Sequence, residues 1–106
     1  MTTALKDTRT TGAEPRTIRI RTFRSPRYEL VEDLVVALEQ EGDQVLACSY
    51  DTGQYGRGLT PENAIHNLCA VLEEYYELLQ EDSARLSPRL ATHLAYLASI
   101  LRRRSS

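Results

Sequence analysis

The chain has 106 residues, of which 42% are hydrophobic and 26% are charged, and its formal net charge is −2. This length corresponds to about one domain, and the composition excludes collagen-like and low-complexity chains. Its two cysteines are too few for a disulfide-stapled secreted domain, so we expect reduced thiols. The sequence contains neither a secretory signal nor the long apolar run of a membrane span, and we therefore expect a cytoplasmic protein.

The two ends of the chain differ in charge. Residues 1–27 carry seven basic and two acidic side chains, a net charge of +5, whereas the remainder has a net charge of −7. Residues 1–15 contain few apolar side chains, and we expect a disordered tail there. Residues 16–23 alternate apolar and basic side chains, as a half-buried strand does. We therefore expect residues 16–27 to form a basic arm or an edge strand.

The next segment predicts a β-hairpin. Leu34, Val36 and Leu38 alternate with other residues before Gly42-Asp43, a pair that suits a type II′ turn because Gly tolerates a positive φ at the first central position. Counting outward from this turn places Val45 opposite Gln40. A short third strand is expected over residues 54–58. The side chains predicted to share the buried face are Leu34, Val36, Leu38, Val45 and Ala47.

Two helices follow, and each begins with a capping residue placed before a proline. Thr60-Pro61 opens the first helix, in which apolar side chains recur at helical spacing. Ser87-Pro88 opens the second helix, which we expect over residues 87–104 with three arginines at its C-terminal dipole end. The expected fold is α+β: a small antiparallel sheet of three or four strands covered by one amphipathic helix, with a C-terminal helix packed on it.

The predicted hairpin, the short loop after it and the run from Gly58 to Ile65 at the start of the first helix give residues 35–79 a resemblance to the HicB-like antitoxin domain. The family signature has a Gly, a polar position, Thr, any residue, two acidic or polar positions, Ala and an aliphatic residue. Six of these positions match in the run Gly58-Leu59-Thr60-Pro61-Glu62-Asn63-Ala64-Ile65. Many family members also carry a C-terminal DNA-binding domain, which the single helix expected over residues 87–104 does not provide.

The resemblance implies that residues 28–82 form a binding module without catalytic residues, an antitoxin that sequesters a small basic toxin that cleaves messenger RNA. A body of net charge −7 suits a basic partner, because complementary charge speeds and orients the encounter. The alternative without a binding role is that the glutamates of the first helix form only its solvent-exposed face. The predicted partner-binding residues are Glu73, Glu74, Glu77, Asp51 and Tyr55.

Two other functions remain open from the sequence. A small nucleic-acid-associated protein would use the basic arm to neutralise phosphates, and such binding would weaken steeply with salt. The arginines predicted for this role are Arg16, Arg19, Arg21, Arg24 and Arg27. A homodimer would instead use the leucine stripe of the second helix, at positions 90, 94, 97 and 101.

The sequence gives little support for catalysis or metal binding. His66 and Cys69 stand three positions apart in the first helix, with Cys48 or His93 as further candidate ligands, but no recognised zinc spacing is present. No cysteine has the local signature of a catalytic nucleophile. We therefore predict no enzymatic activity, no cofactor and no metal.

Overall fold

The computed structural model describes residues 16–23 and 25–104, so the predicted tail over residues 1–15 lies outside the described part. One antiparallel sheet has the strand order β1-β3-β4-β5, and β2 and β6 form a separate two-stranded ribbon. The α+β prediction is confirmed. The strands are β1 (Arg16–Ile20), β2 (Tyr28–Leu30), β3 (Leu34–Glu41), β4 (Gln44–Ser49), β5 (Tyr55–Gly58) and β6 (Leu101–Arg103), and the helices are α1 (Pro61–Glu81) and α2 (Pro88–Ile100), separated by a 3-10 turn (Ser83–Arg85).

The β3–β4 hairpin has the predicted turn and register. Gly42 has a φ of 62°, and no described non-glycine residue has a positive φ, which matches a type II′ turn at Gly42-Asp43. Val45 lies opposite Gln40, so the strand register follows from the turn. The predicted core face is buried in full, with Leu34, Val36, Leu38, Val45 and Ala47 each at most 8% exposed.

The first part of the basic segment, Arg16–Ile20, joins the three predicted strands, so the sheet has four strands. β1 pairs antiparallel with β3, which places Ile18 opposite Val36 and Ile20 opposite Leu34. Both isoleucines pack against the core, while the intervening Arg19 is exposed. The alternation of apolar and basic residues therefore marks an edge strand over Arg16–Ile20.

Helix α1 covers the sheet, and its backbone lies in close contact with the backbone of β5. Thr60 caps the helix by accepting a hydrogen bond from the backbone N–H of Asn63 at 3.1 Å. A Cβ atom added to Gly56 would lie 2.3 Å from the backbone nitrogen of Leu68, so only glycine allows this approach. On α1, Tyr75 is half-buried against the core and Tyr76 is buried. Its ring packs edge-on against Tyr28 of β2, with centroids 5.6 Å apart, because the ribbon extends the core beyond the sheet.

The C-terminal helix is shorter than predicted. α2 ends at Ile100 rather than continuing to residue 104, and Leu101 already has extended backbone angles. β6 then pairs with β2, which places Arg102 directly opposite Glu29. Arg102 Nε donates to Glu29 Oε2 at 2.8 Å. The arginines therefore contact β2 and the chain next to it instead of the dipole of α2, which explains the error in the predicted boundary.

Candidate functional site

Two of the three predicted glutamates on α1 are paired with an arginine of the same chain. The guanidinium of Arg27 donates from Nε to Glu73 Oε2 at 2.8 Å, and a second of its nitrogens contacts the same oxygen. The same guanidinium also lies 2.8 Å from Glu77 Oε2. A residue predicted for nucleic-acid binding thus partly neutralises two residues predicted for protein binding.

The residues around Arg27 complete this contact. Ser25 Oγ donates to Glu73 Oε1 at 2.6 Å, and it accepts hydrogen bonds from the backbone N–H groups of Arg27 and Tyr28. The Tyr28 hydroxyl donates to Glu77 Oε2 at 3.1 Å. We call this set of five residues the clamp, because it fixes residues 25–28 against α1.

The clamp changes the titration of its own groups. Burial by itself would raise the pKa of Glu73, but hydrogen bonds from Ser25 and Arg27 and the positive charge of Arg27 outweigh it, so the pKa lies below its usual value. The hydrogen bond to Glu73 is the main reason that the pKa of Arg27 is raised. Both groups are therefore held in their charged forms.

Glu74 differs from its two neighbours, because its side chain is exposed and makes none of the described ion pairs. It lines a shallow open depression of about 340 Å³ together with Ala70 and the acidic and basic groups of the clamp. Three carboxylates and one guanidinium border this depression, so its formal charge is −2. Such a surface attracts a cationic side chain.

The structure does not place Asp51 and Tyr55 beside these glutamates. Successive residues of a strand point to opposite faces, and Gly56 faces α1, so Tyr55 lies on the sheet face opposite α1. The Arg57 guanidinium lies 5.2 Å from the centroid of the Tyr55 ring. Asp51 lies in the β4–β5 turn near Tyr96 of α2. Burial, with a further contribution from Asp51, raises the pKa of Tyr96 to about 12.

The arginines of the nucleic-acid alternative are also divided. Arg16, Arg19 and Arg21 are exposed along or just after β1, Arg24 lies outside the described residues, and Arg27 belongs to the clamp. The two C-terminal arginines with hydrogen bonds are also engaged within the chain, Arg102 with Glu29 and Arg104 with the carbonyl oxygens of Phe23 and Ser25. Among the described arginines of this set, those on or just after β1 therefore provide the basic surface.

The candidate metal ligands are not assembled into a site. Within residues 16–23 and 25–104, no group of three or more His, Cys, Asp or Glu side chains is arranged to hold a metal ion. His93 Nδ1 instead lies 2.7 Å from the Tyr75 hydroxyl and links the two helices. His66 is exposed on α1, whereas Cys69 is buried.

Comparisons with protein-family models, curated proteins and solved structures found no match. None of the described helices is long and apolar enough to cross a membrane. The chemistry of the α1 surface therefore provides the structural basis for a functional proposal.

Proposed function

We propose that this chain is a non-enzymatic binding module of the HicB-like antitoxin type, which binds a small basic protein through the exposed acidic surface of α1. The observation that carries this proposal is the depression bordered by Glu73, Glu74 and Glu77, whose formal charge remains −2 after Arg27 is counted. The binding group of the partner is then a lysine or arginine side chain. It would contact Glu74 and the outer side of Glu77.

Arg27 supports this proposal by showing how a guanidinium fits the surface. It contacts Glu73 and Glu77 at the same time, on residues one helical turn apart. Glu74 is the neighbouring carboxylate left exposed, so a second cation approaching α1 would meet it first. Attraction of this kind increases the association rate and weakens as salt is added.

The signature at residues 58–65 supports the identity of the partner as a messenger-RNA-cleaving toxin. A ribonuclease needs a basic surface to hold the phosphates of its substrate. An acidic protein bound on that surface blocks the substrate without any chemistry of its own. This role suits a cytoplasmic protein and requires neither a cofactor nor a metal.

The experiment is a pull-down with the full chain from nuclease-treated host lysate, followed by a titration of the retained basic protein against variants. Glu74→Lys is expected to weaken binding at least tenfold, about 1.4 kcal/mol, because it reverses a contact charge. Glu32→Lys is the control, since it makes the same charge change at an exposed residue outside α1. Equal binding by both variants would contradict the proposal. In a parallel pull-down from untreated lysate, retention that nuclease treatment or Arg19→Glu abolishes would favour the alternative function.

A further inference from the structure

The sheet has one face that both helices leave uncovered. Its centre is formed by Val35, Ala37, Leu46 and Cys48, which are half-buried and do not belong to the hydrophobic core. Two tyrosines extend this apolar area, Tyr50 with 73% of its surface exposed and Tyr55 with 49%. We call this surface the open face. An apolar sheet surface bordered by tyrosines is typical of a protein interface.

Strand register arranges the open face in rows that run across the strands. Thr17, Ala37, Cys48 and Tyr55 are successive partners and form the central row. The row on one side contains Arg19 paired with Val35, and Tyr50 joins it because its backbone N–H donates to the Val35 carbonyl at 3.1 Å. The row on the other side contains Glu39, Leu46 and Arg57.

The two outer rows carry complementary groups. Arg19 is exposed at one end of the β1–β3 side, and Glu39 is exposed at the other end of the same side. Near β4, Tyr50 lies in the same row as Arg19, and Leu46 lies in the same row as Glu39. A two-fold axis parallel to the central row, and midway between two facing sheets, exchanges the outer rows. In a face-to-face pair it would bring each Arg19 near the Glu39 of the second copy and each Tyr50 onto its Leu46.

We propose that the open face is covered by a second copy of this chain, related by that two-fold axis. Two identical sheets packed in this way form a sandwich about 10 Å thick, with their strands nearly aligned. Complementary charge on a single surface favours the second copy over a partner of one charge sign, because every attractive contact then occurs twice. The acidic surface of α1 lies on the other side of the sheet, so this pairing does not depend on the proposed toxin binding.

The size of the face sets the expected affinity. Four strands spaced at about 4.8 Å span about 14 Å, and three rows cover about 13 Å along the strands. This footprint is smaller than that of a standard interface, which buries about 800 Å² on each partner. The expected dimer is therefore weak and reversible.

Sedimentation equilibrium of the full chain over a range of micromolar concentrations tests the pairing. The wild type is expected to dimerise, and Leu46→Glu is expected to be monomeric because it places a carboxylate under Tyr50 of the second copy. The control is Leu78→Glu, at a leucine of α1 that is 57% exposed and lies off the open face. Circular dichroism of each variant shows that it is folded. A monomer at every concentration, or a dimer that Leu46→Glu does not affect, would overturn the proposal.

Charge reversal gives a second readout that loss of folding cannot imitate. Arg19→Glu and Glu39→Arg are each expected to weaken the dimer about fivefold, and the double variant is expected to restore it. Failure of the double variant to recover would argue against this axis.

Cross-linking reports on the centre of the interface. The axis places Cys48 opposite Cys48 of the second copy, but sheets about 10 Å apart exceed the usual Cα separation of a disulfide. A short bismaleimide is therefore the appropriate reagent. Burial and the nearby Glu39 raise the pKa of Cys48, so the reaction is run at mildly alkaline pH. The wild type is expected to give a covalent dimer that is absent in Cys48→Ser, and its persistence in that variant would place the contact elsewhere.

Discussion

Arg27 Nε donates to Glu73 Oε2 at 2.8 Å, although the two residues are 46 positions apart in the chain. This contact ties the segment between β1 and β2 to the middle of α1. The Ser25 hydroxyl donates to the other oxygen of the same carboxylate. Glu73 is therefore a structural residue as well as part of an acidic surface, and its role differs from that of the adjacent Glu74.

We predict unequal effects for these two adjacent glutamates. Glu73→Ala is expected to lower the free energy of unfolding by about 1–2 kcal/mol, because it leaves the Ser25 hydroxyl without its acceptor and leaves Arg27 with Glu77 alone. Glu74→Ala is the matched control and is expected to change it by less than about 0.5 kcal/mol, since its side chain is exposed. Urea denaturation measures both values. Equal losses in the two variants would show that the clamp does not contribute to stability.

The clamp also predicts how stability depends on pH. Unfolded Glu73 takes up its proton near the ordinary pKa of 4.5, whereas the folded pKa is lower, so protonation favours the unfolded state. The contribution of Glu73 is thus full well above pH 4.5 and is lost as the pH falls through the folded pKa. In urea titrations at a series of pH values, the stability difference between the wild type and Glu73→Gln should shrink on acidification. A difference that stays constant down to pH 3 would contradict this account.

Gly56 is predicted to be intolerant of any side chain. A Cβ atom there would lie 2.3 Å from Leu68 N and 2.8 Å from Ala64 O, both backbone atoms of α1. Gly56→Ala is therefore expected to cost about 3 kcal/mol or to prevent folding. Gly53→Ala serves as the comparison, because Gly53 has a φ of 75° and no atom within 4 Å of the added carbon. Its cost, about 1 kcal/mol, comes from backbone strain alone. Thermal unfolding should rank the two variants in this order.

The C-terminal strand can be tested with two adjacent residues. Leu101 is 5% exposed, so Leu101→Ala is expected to cost about 2–4 kcal/mol through the cavity that it creates. Arg102→Ala removes only an ion pair whose arginine side chain is 67% exposed, and its expected cost is below about 1 kcal/mol. Denaturant midpoints for the two variants provide the measurement. The reverse order would mean that residues 101–103 are held by charge rather than by burial.

The features that the sequence predicted correctly depend on residues close together in the chain. The turn at Gly42 fixes the hairpin register, and the caps at Thr60 and Ser87 fix the starts of α1 and α2. Each of these signals spans a few residues, so turn and capping chemistry are sufficient to identify it.

The features that the sequence did not reveal depend on contacts between distant segments. The leucine spacing of α2 continues through Leu101, and no local signal shows that the helix ends at Ile100 and that the next residues pair with β2. The same reason applies to the candidate site. Glutamates at helical spacing predict a charged surface, but the sequence does not show that Arg27 binds two of them.

The ribbon of β2 and β6 has a consequence for the order of events during protein synthesis. Tyr28 pairs with Arg103, and the Arg104 backbone N–H donates to the Arg27 carbonyl at 2.8 Å. These pairings close a loop of more than seventy residues, so they cannot form until residues 101–104 have left the ribosome. The hairpin and α1 consist of residues made earlier and are free to associate first. The nascent chain therefore holds Tyr28 and Leu30 without their β6 partners until residues 101–103 have been made.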